Sequence, residues 1–222
     1  MWDLPLIVLA LLPLGYRAHG LGLIPLIVST PVLQSPSWWL CLGGISLLYL
    51  LHAFIWHYPA HFTALCRPTG MHPVQVFAVL EIVGKLWQGV CVVAYLGVGG
   101  LRAAGGAIAA APTWSYAVFA LYLAVGQGLN AAMYAAIGND GVYYGFRLGR
   151  QVPWCKGFPF NVGLRHPQYV GGVLTILGAL FVLMSADLVR AGMVQAGLAW
   201  AGEYVAMSIM EQLSDNDKSK RT

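Results

Sequence analysis

Three long, predominantly apolar runs, residues 38–56, 74–96 and 114–137, most constrain what this chain can fold into. A hydrocarbon core about 30 Å thick is crossed by roughly 20 helical residues, and within it every backbone N–H and C=O must find its partner inside the segment. Each run therefore predicts a membrane-spanning helix. The charge content agrees: Asp, Glu, Lys and Arg make up 9% of the 222 residues, where a soluble domain carries about 25%. The mean hydropathy is +0.69. The expectation is an all-α integral membrane protein with no sizeable soluble domain.

Residues 172–211 hold two shorter spans hinged at 185–192, where Asp187 and Arg190 interrupt the apolar run, so a C-terminal helical hairpin is expected. Upstream, the runs 4–14 and 21–33 are short, and Pro13, Gly15, Arg17, His19 and Gly20 stand between them. They read as one kinked span or two interfacial pieces. A signal peptide fits less well, because Asp3 occupies the place of a basic leading region. The chain thus divides into a hydrophobic extension, 1–37, and a membrane domain, 38–222. It is expected to have about five transmembrane helices and an interfacial segment.

Basic residues in short loops mark the cytoplasmic side. If the clear spans alternate, Arg67, Arg147, Arg150, Lys156, Arg165, Lys218, Lys220 and Arg221 share one face, and Arg102 and Arg190 lie on the other. The first face is the cytosolic one, and residues 102–112 form a plain lumenal connector. A net charge of +4 arising from these loops suits anionic headgroups or a phosphorylated small molecule, and there is no nucleic-acid footprint. Cys41, Cys66, Cys91 and Cys155 have no CxxC spacing and read as packing residues.

Residues 141–171, GVYYGFRLGRQVPWCKGFPFNVGLRHPQYVG, place polar, aromatic and basic groups between apolar spans. In RHPQYVG, Pro167 suits the first turn of a helix and restricts His166 to an extended conformation, which puts Arg165 and His166 at a membrane surface. A C-terminal hairpin would return Glu211 to that surface, joining a cation, an imidazole and a carboxylate. The alternative is that these are interfacial anchors and a solvated helix end. In GQGLN, two glycines remove bulk while Gln127 and Asn130 add hydrogen-bonding groups. Helix packing competes there with ligand contact. GFPFN reads as an amphipathic interfacial segment, either a ligand lid or an anchor. Glu81 and Lys85, four apart inside a span, read as a mutual ion pair, with headgroup contact as the alternative. His52, His57 and His61 do not form a metal set, because Pro59 breaks the helix that would align them.

In this order, GQGLN, GVYYGFRLG, VPWCKGFPFNVGLRHPQYVG and YVAMSIMEQ resemble the membrane-embedded phospholipid N-methyltransferases, most closely the plant-type branch. The resemblance covers about residues 47–219. RHPxYxG with a distal glutamate is also similar to the wider superfamily containing isoprenylcysteine carboxyl methyltransferases and some sterol reductases.

The resemblance implies S-adenosylmethionine as methyl donor, bound at the cytosolic end of the helices, no metal, and a membrane phospholipid acceptor arriving sideways from the bilayer. The products would be phosphatidylcholine and its dimethylated precursor, made from methylated phosphatidylethanolamines in the endoplasmic reticulum membrane. The glycine motif falls on Gly126 and Gly128, with Gln127 and Asn130 beside them. Tyr144, Gly145, Phe158 and Pro159 belong to the adjoining donor-site motifs. Arg165, His166 and Tyr169 would hold the donor's carboxylate or adenosine, and Glu211 its amino group or sulfonium region, with Glu211 and His166 as catalytic candidates. One departure is Gln212, where animal enzymes carry a second glutamate. The competing readings are a methyltransferase for a prenylcysteine carboxylate and a non-enzymatic transporter or scaffold. Oligomeric state is not specified by any of these features.

Overall fold

The computed structural model describes residues 3–29 and 31–219. Lys220 and Arg221, counted above on the cytosolic face, lie outside the described residues, as does the side chain of Lys218. Every regular element among the described residues is helical: α1 (Asp3–Gly20), α2 (Ile24–Ser29), α3 (Pro36–His57), α4 (Pro59–Cys66), α5 (Pro73–Ala110), α6 (Thr113–Val142), α7 (Pro167–Leu183), α8 (Ala186–Arg190) and α9 (Met193–Ser219). Three of them, α3, α5 and α6, are long and apolar enough to cross a bilayer. A fourth span results if α1 and the segment after it form one bent crossing.

Proline opens α3, α4, α5 and α7, where the missing N–H costs no intrahelical bond. His72 caps α5, with its ring accepting from the Val74 N–H at 3.2 Å while Gln75 accepts from the His72 N–H. The sequence boundary at residue 96 coincides with a break at Gly97, whose φ of 55° only glycine adopts freely. Beyond it, the connector expected at 102–112 is helical as far as Ala110. Its alanine-rich composition explains the correction, since alanine is the best helix former.

In the N-terminal segment the break falls later than the sequence suggests. Pro13, Gly15, Arg17 and His19 lie within one continuous helix, and the chain turns later, at Gly22. Arg17 does not break α1, because its guanidinium finds a hydrogen bond and aromatic contacts inside the protein. It donates to Ser115 Oγ at 2.8 Å and lies over Trp114 and Phe181. Ile7, Ala10, Leu14 and Ala18 bury one stripe of α1 in a core shared with Val170, Val173, Leu174 and Leu177 of α7.

The expected C-terminal hairpin is present. Its hinge is the short α8, which contains Asp187 and Arg190 in a 3.0 Å ion pair. Gly172 lies against Tyr204 and Leu180 against Gly197, so α7 and α9 run antiparallel. The closest helix contact is between α6 and α7. A Cβ on Gly126 would sit 2.6 Å from the Gly171 carbonyl oxygen, and a Cβ on Gly171 would sit 2.5 Å from that of Gly126. Small residues bring these two backbones together, as membrane helices require.

The alternating directions of α3, α5, α6, α7 and α9 collect the end of α3, the start of α5, the end of α6, the start of α7 and the end of α9 at one end of the bundle. Asp3 tightens this end: its carboxylate accepts from the backbone N–H groups of Arg165 at 3.1 Å and of His166 at 3.1 Å, just ahead of α7. Replacing Asp3 by alanine removes this cap and is expected to cost about 1 kcal/mol, read as a lower thermal midpoint in detergent. Asp3→Asn, which keeps one acceptor oxygen, should recover much of it. Gly171→Val is expected to lower the midpoint further, by about 1–3 kcal/mol of stability, because its branches meet backbone. An unchanged midpoint for Gly171→Val would contradict the close α6–α7 contact.

Candidate active site

Glu211, near the end of α9, is 6% exposed, and its carboxylate is the centre of the site. A buried carboxylate is costly unless donors surround it, and three side chains from two stretches of chain do so. Tyr144 donates to Oε1 at 2.6 Å, Tyr169 donates to the same oxygen, and His166 Nδ1 lies 3.4 Å from Oε2. The two phenol oxygens are 2.9 Å apart, and the His166 and Tyr169 rings stack with centroids at 5.5 Å. The hairpin thus returns Glu211 to the RHPQY segment, as its spacing predicts.

Local backbone geometry aims Tyr144 at this point. It adopts φ 55°, the left-handed region that a tyrosine enters only at a cost. The turn is locked by Gly145, whose N–H donates to Asp140 O at 2.6 Å and where a Cβ would stand 2.4 Å from that oxygen. Burial, then the adjoining Glu211 carboxylate, hold the Tyr144 phenol well above its ordinary range, so it remains a donor. Trp56 packs edge-on to the Tyr144 ring with centroids 5.2 Å apart, and the Arg147 guanidinium lies 3.6 Å from the Trp56 centroid.

The polar chain continues beyond the glutamate. Tyr144 Oη lies 3.3 Å from His52 Nδ1, and His52 Nε2 lies 2.8 Å from Glu81 Oε2. Glu81 Oε1 is 3.3 Å from Lys85 Nζ, which donates to Tyr204 Oη at 2.8 Å. The ion pair expected between Glu81 and Lys85 is therefore one link in a relay running from α5 to α9 through α3 and the end of α6.

Two cavities flank this relay. The smaller, about 190 Å³, is bounded by Trp56, Phe160, Arg165, His166, Tyr169 and Glu211. The larger, about 300 Å³, holds Glu81, Lys85, Gln127, Asn130 and Tyr204, and shares His52, Gln168 and Tyr169 with the first. Two of the residues around the smaller one, His166 and Trp56, each have a buried ring nitrogen, Nε2 and Nε1, with no hydrogen-bond partner among the described residues.

The sequence-derived site residues thus fall into groups. Tyr144, Arg165, His166, Tyr169 and Glu211 surround the smaller cavity, and Gln127 and Asn130 line the larger. Gly126 serves the α6–α7 contact, Gly128 faces open space, and Gly145 forms the turn under Tyr144. Phe158 is 55% exposed, Pro159 is fully buried, and the next residue, Phe160, reaches the smaller cavity. His52, Trp56 and Asp3 were not read as site residues from sequence. A histidine one helical turn before Trp56 in an otherwise apolar span was the available signal for the first two. Among the described residues no group of three or more His, Cys, Asp or Glu side chains could hold a metal.

With this geometry in view, residues 114–213 match the phospholipid methyltransferase family. The chain is 38% identical over 93 residues to a phosphatidyl-N-methylethanolamine N-methyltransferase of Arabidopsis thaliana. That match covers 42% of this chain and 51% of the relative, so it spans about half of the relative's length. No solved structure matches the chain. From the start of α6 through Glu211, the chain is similar to phospholipid methyltransferases over the stretch that builds the buried carboxylate site.

Proposed function

We propose that the protein transfers methyl groups from S-adenosylmethionine to the amine of monomethyl- and dimethyl-phosphatidylethanolamine, giving phosphatidylcholine. The observation that carries the reading is the buried Glu211 carboxylate, held by Tyr144, Tyr169 and His166 within the family-matching segment. The smaller cavity fits the donor's chemistry. A carboxylate faces a ligand with a cationic amine and sulfonium, and Arg165 at the rim suits the ligand's own carboxylate. The Trp56 and Phe160 rings suit an adenine.

The donor supplies an electrophilic methyl carbon on a sulfonium. A neutral amine forms the new N–C bond as the C–S bond breaks and the electron pair returns to sulfur. In water the amine is mostly protonated, with a pKa near that of lysine, about 10. Removal from water favours the neutral form, and His166, beside Glu211, is placed to accept the displaced proton. Alignment of amine and methyl carbon then contributes most of the rate, as expected when two reactants are held together. The basic residues Arg67, Arg147, Arg150, Lys156 and Arg165 belong to the loops and helix ends around the site, which supports a cytosolic orientation. The endoplasmic reticulum is the expected membrane.

Purified protein in lipid vesicles, given methyl-labelled S-adenosylmethionine, should move label into phosphatidylcholine from the monomethyl and dimethyl lipids. Transfer to a prenylcysteine analogue alone, or to no lipid, would refute the reading. Glu211→Gln should weaken donor binding at least about thirtyfold, the equivalent of about 2 kcal/mol for one partner lost from a buried charged cluster. Unchanged donor affinity with lost turnover would instead make Glu211 a proton acceptor.

A further inference from the structure

The larger cavity contains charges that the donor site does not use. Lys85 stands on α5 between Ile82 and Leu86, which are 61% and 68% exposed and face the lipid side of the helix. A lysine among such neighbours is expensive in hydrocarbon and marks a function when it persists. Its side chain is 44% exposed, whereas Glu81 is 11% exposed and points inward. The two are adjacent but not tightly bonded: their 3.3 Å separation exceeds the roughly 2.7–2.9 Å of a strong charge-assisted bond. Each has a closer partner, Tyr204 at 2.8 Å for Lys85 and His52 at 2.8 Å for Glu81. The ammonium of Lys85 carries three N–H donors, and one of them remains for a ligand.

Two further observations point to a ligand. Gln127 and Asn130 put two amide side chains on the wall of this cavity, inside an otherwise apolar span. Tyr49, Tyr134, Tyr143, Tyr169 and Tyr204 line it as well. Aromatic rings around a carboxylate suit an alkylated ammonium, which has few N–H donors left to satisfy.

Resting on the proposed phospholipid methyl transfer, we propose that this cavity is the acceptor subsite and takes the zwitterionic phosphoryl-N-methylethanolamine headgroup. Lys85 holds the phosphate at the lipid-facing mouth. Glu81, Asn130 and the tyrosine rings hold the ammonium next to Tyr169, one of the residues shared with the smaller cavity. A zwitterion replaces the loose Lys85–Glu81 pair charge for charge, so no net charge is added to the membrane interior. An anionic headgroup would leave Glu81 unbalanced. The acyl chains lie outside along Ile82 and Leu86, which makes a bilayer lipid, rather than a free phosphorylated amine, the source of the headgroup.

The test uses the full chain and two readouts. Native mass spectrometry after exchange into mixed N-methyl-phosphatidylethanolamine and phosphatidylglycerol measures lipid retention without turnover. Methyl-transfer kinetics give the acceptor KM beside the Kd of S-adenosylhomocysteine. Wild type should retain the zwitterionic lipid selectively. Lys85→Met should lose that selectivity and raise the acceptor KM about tenfold, as expected for one charged contact, with the S-adenosylhomocysteine Kd unchanged. Lys85→Arg, which keeps the charge and controls for folding, should restore most of both. Deacylated glycerophospho-N-methylethanolamine should compete poorly, and strong competition would overturn the bilayer source. Transfer by wild type, with retention and KM unaltered in Lys85→Met, would overturn the subsite. A parallel loss of S-adenosylhomocysteine binding would overturn it too, by assigning Lys85 to the donor. Selective retention without methyl transfer by wild type would leave the headgroup subsite standing and refute the enzymatic reading.

Discussion

A carboxylate buried at Glu211 obliges the surrounding helices to supply donors, and much of the arrangement at this end of the bundle follows from that demand. Tyr144 reaches it through a strained left-handed backbone, Tyr169 from the first turns of α7, and His166 from the residue before that helix. Tyr144 follows α6, His166 and Tyr169 open α7, and Glu211 is on α9, so the cluster exists only when these three helices are seated together. The Gly126–Gly171 contact brings α6 and α7 together. Bulk at either glycine would separate α6 from α7 and move Tyr144 relative to Tyr169.

Other parts of the chain serve the same constraint from farther away. Asp3 holds the backbone ahead of α7, while Arg17 ties the other end of α1 to Ser115 at the start of α6. The hydrophobic extension is therefore packed into the fold at both ends of the bundle. On the opposite side, His52 connects the glutamate cluster to Glu81 and Lys85, so two cavities share one wall of titratable and phenolic groups. That arrangement suits a reaction in which one ligand carries the reactive group and another must shed a proton.

The long spans were legible in the sequence because apolar runs of bilayer length leave the backbone little choice but helix, and the hinge of the last pair was legible from Asp187 and Arg190. The reading of 102–112 failed because a glycine break looks like a helix end, although the alanine-rich stretch beyond it resumes the helix. The meeting of His166 with Glu211 followed from hairpin topology alone. Asp3 could not be found this way: it acts on backbone N–H groups, which leave no side-chain pattern. The partnership of His52 with Tyr144 was equally hidden, since it joins distant segments through a turn whose φ the sequence does not display. At Gly126, where the sequence left helix packing and ligand contact open, the geometry shows the packing partner, Gly171.

Ultraviolet crosslinking of labelled S-adenosylmethionine to the full chain, followed by peptide mapping, tests the central placement most directly. The account predicts label on the peptides carrying Trp56, Phe160 or Glu211, displaced by S-adenosylhomocysteine. Label confined to the outer face of α6 around Gly128, or to the far end of the bundle near Arg17 and Ala186, would contradict it.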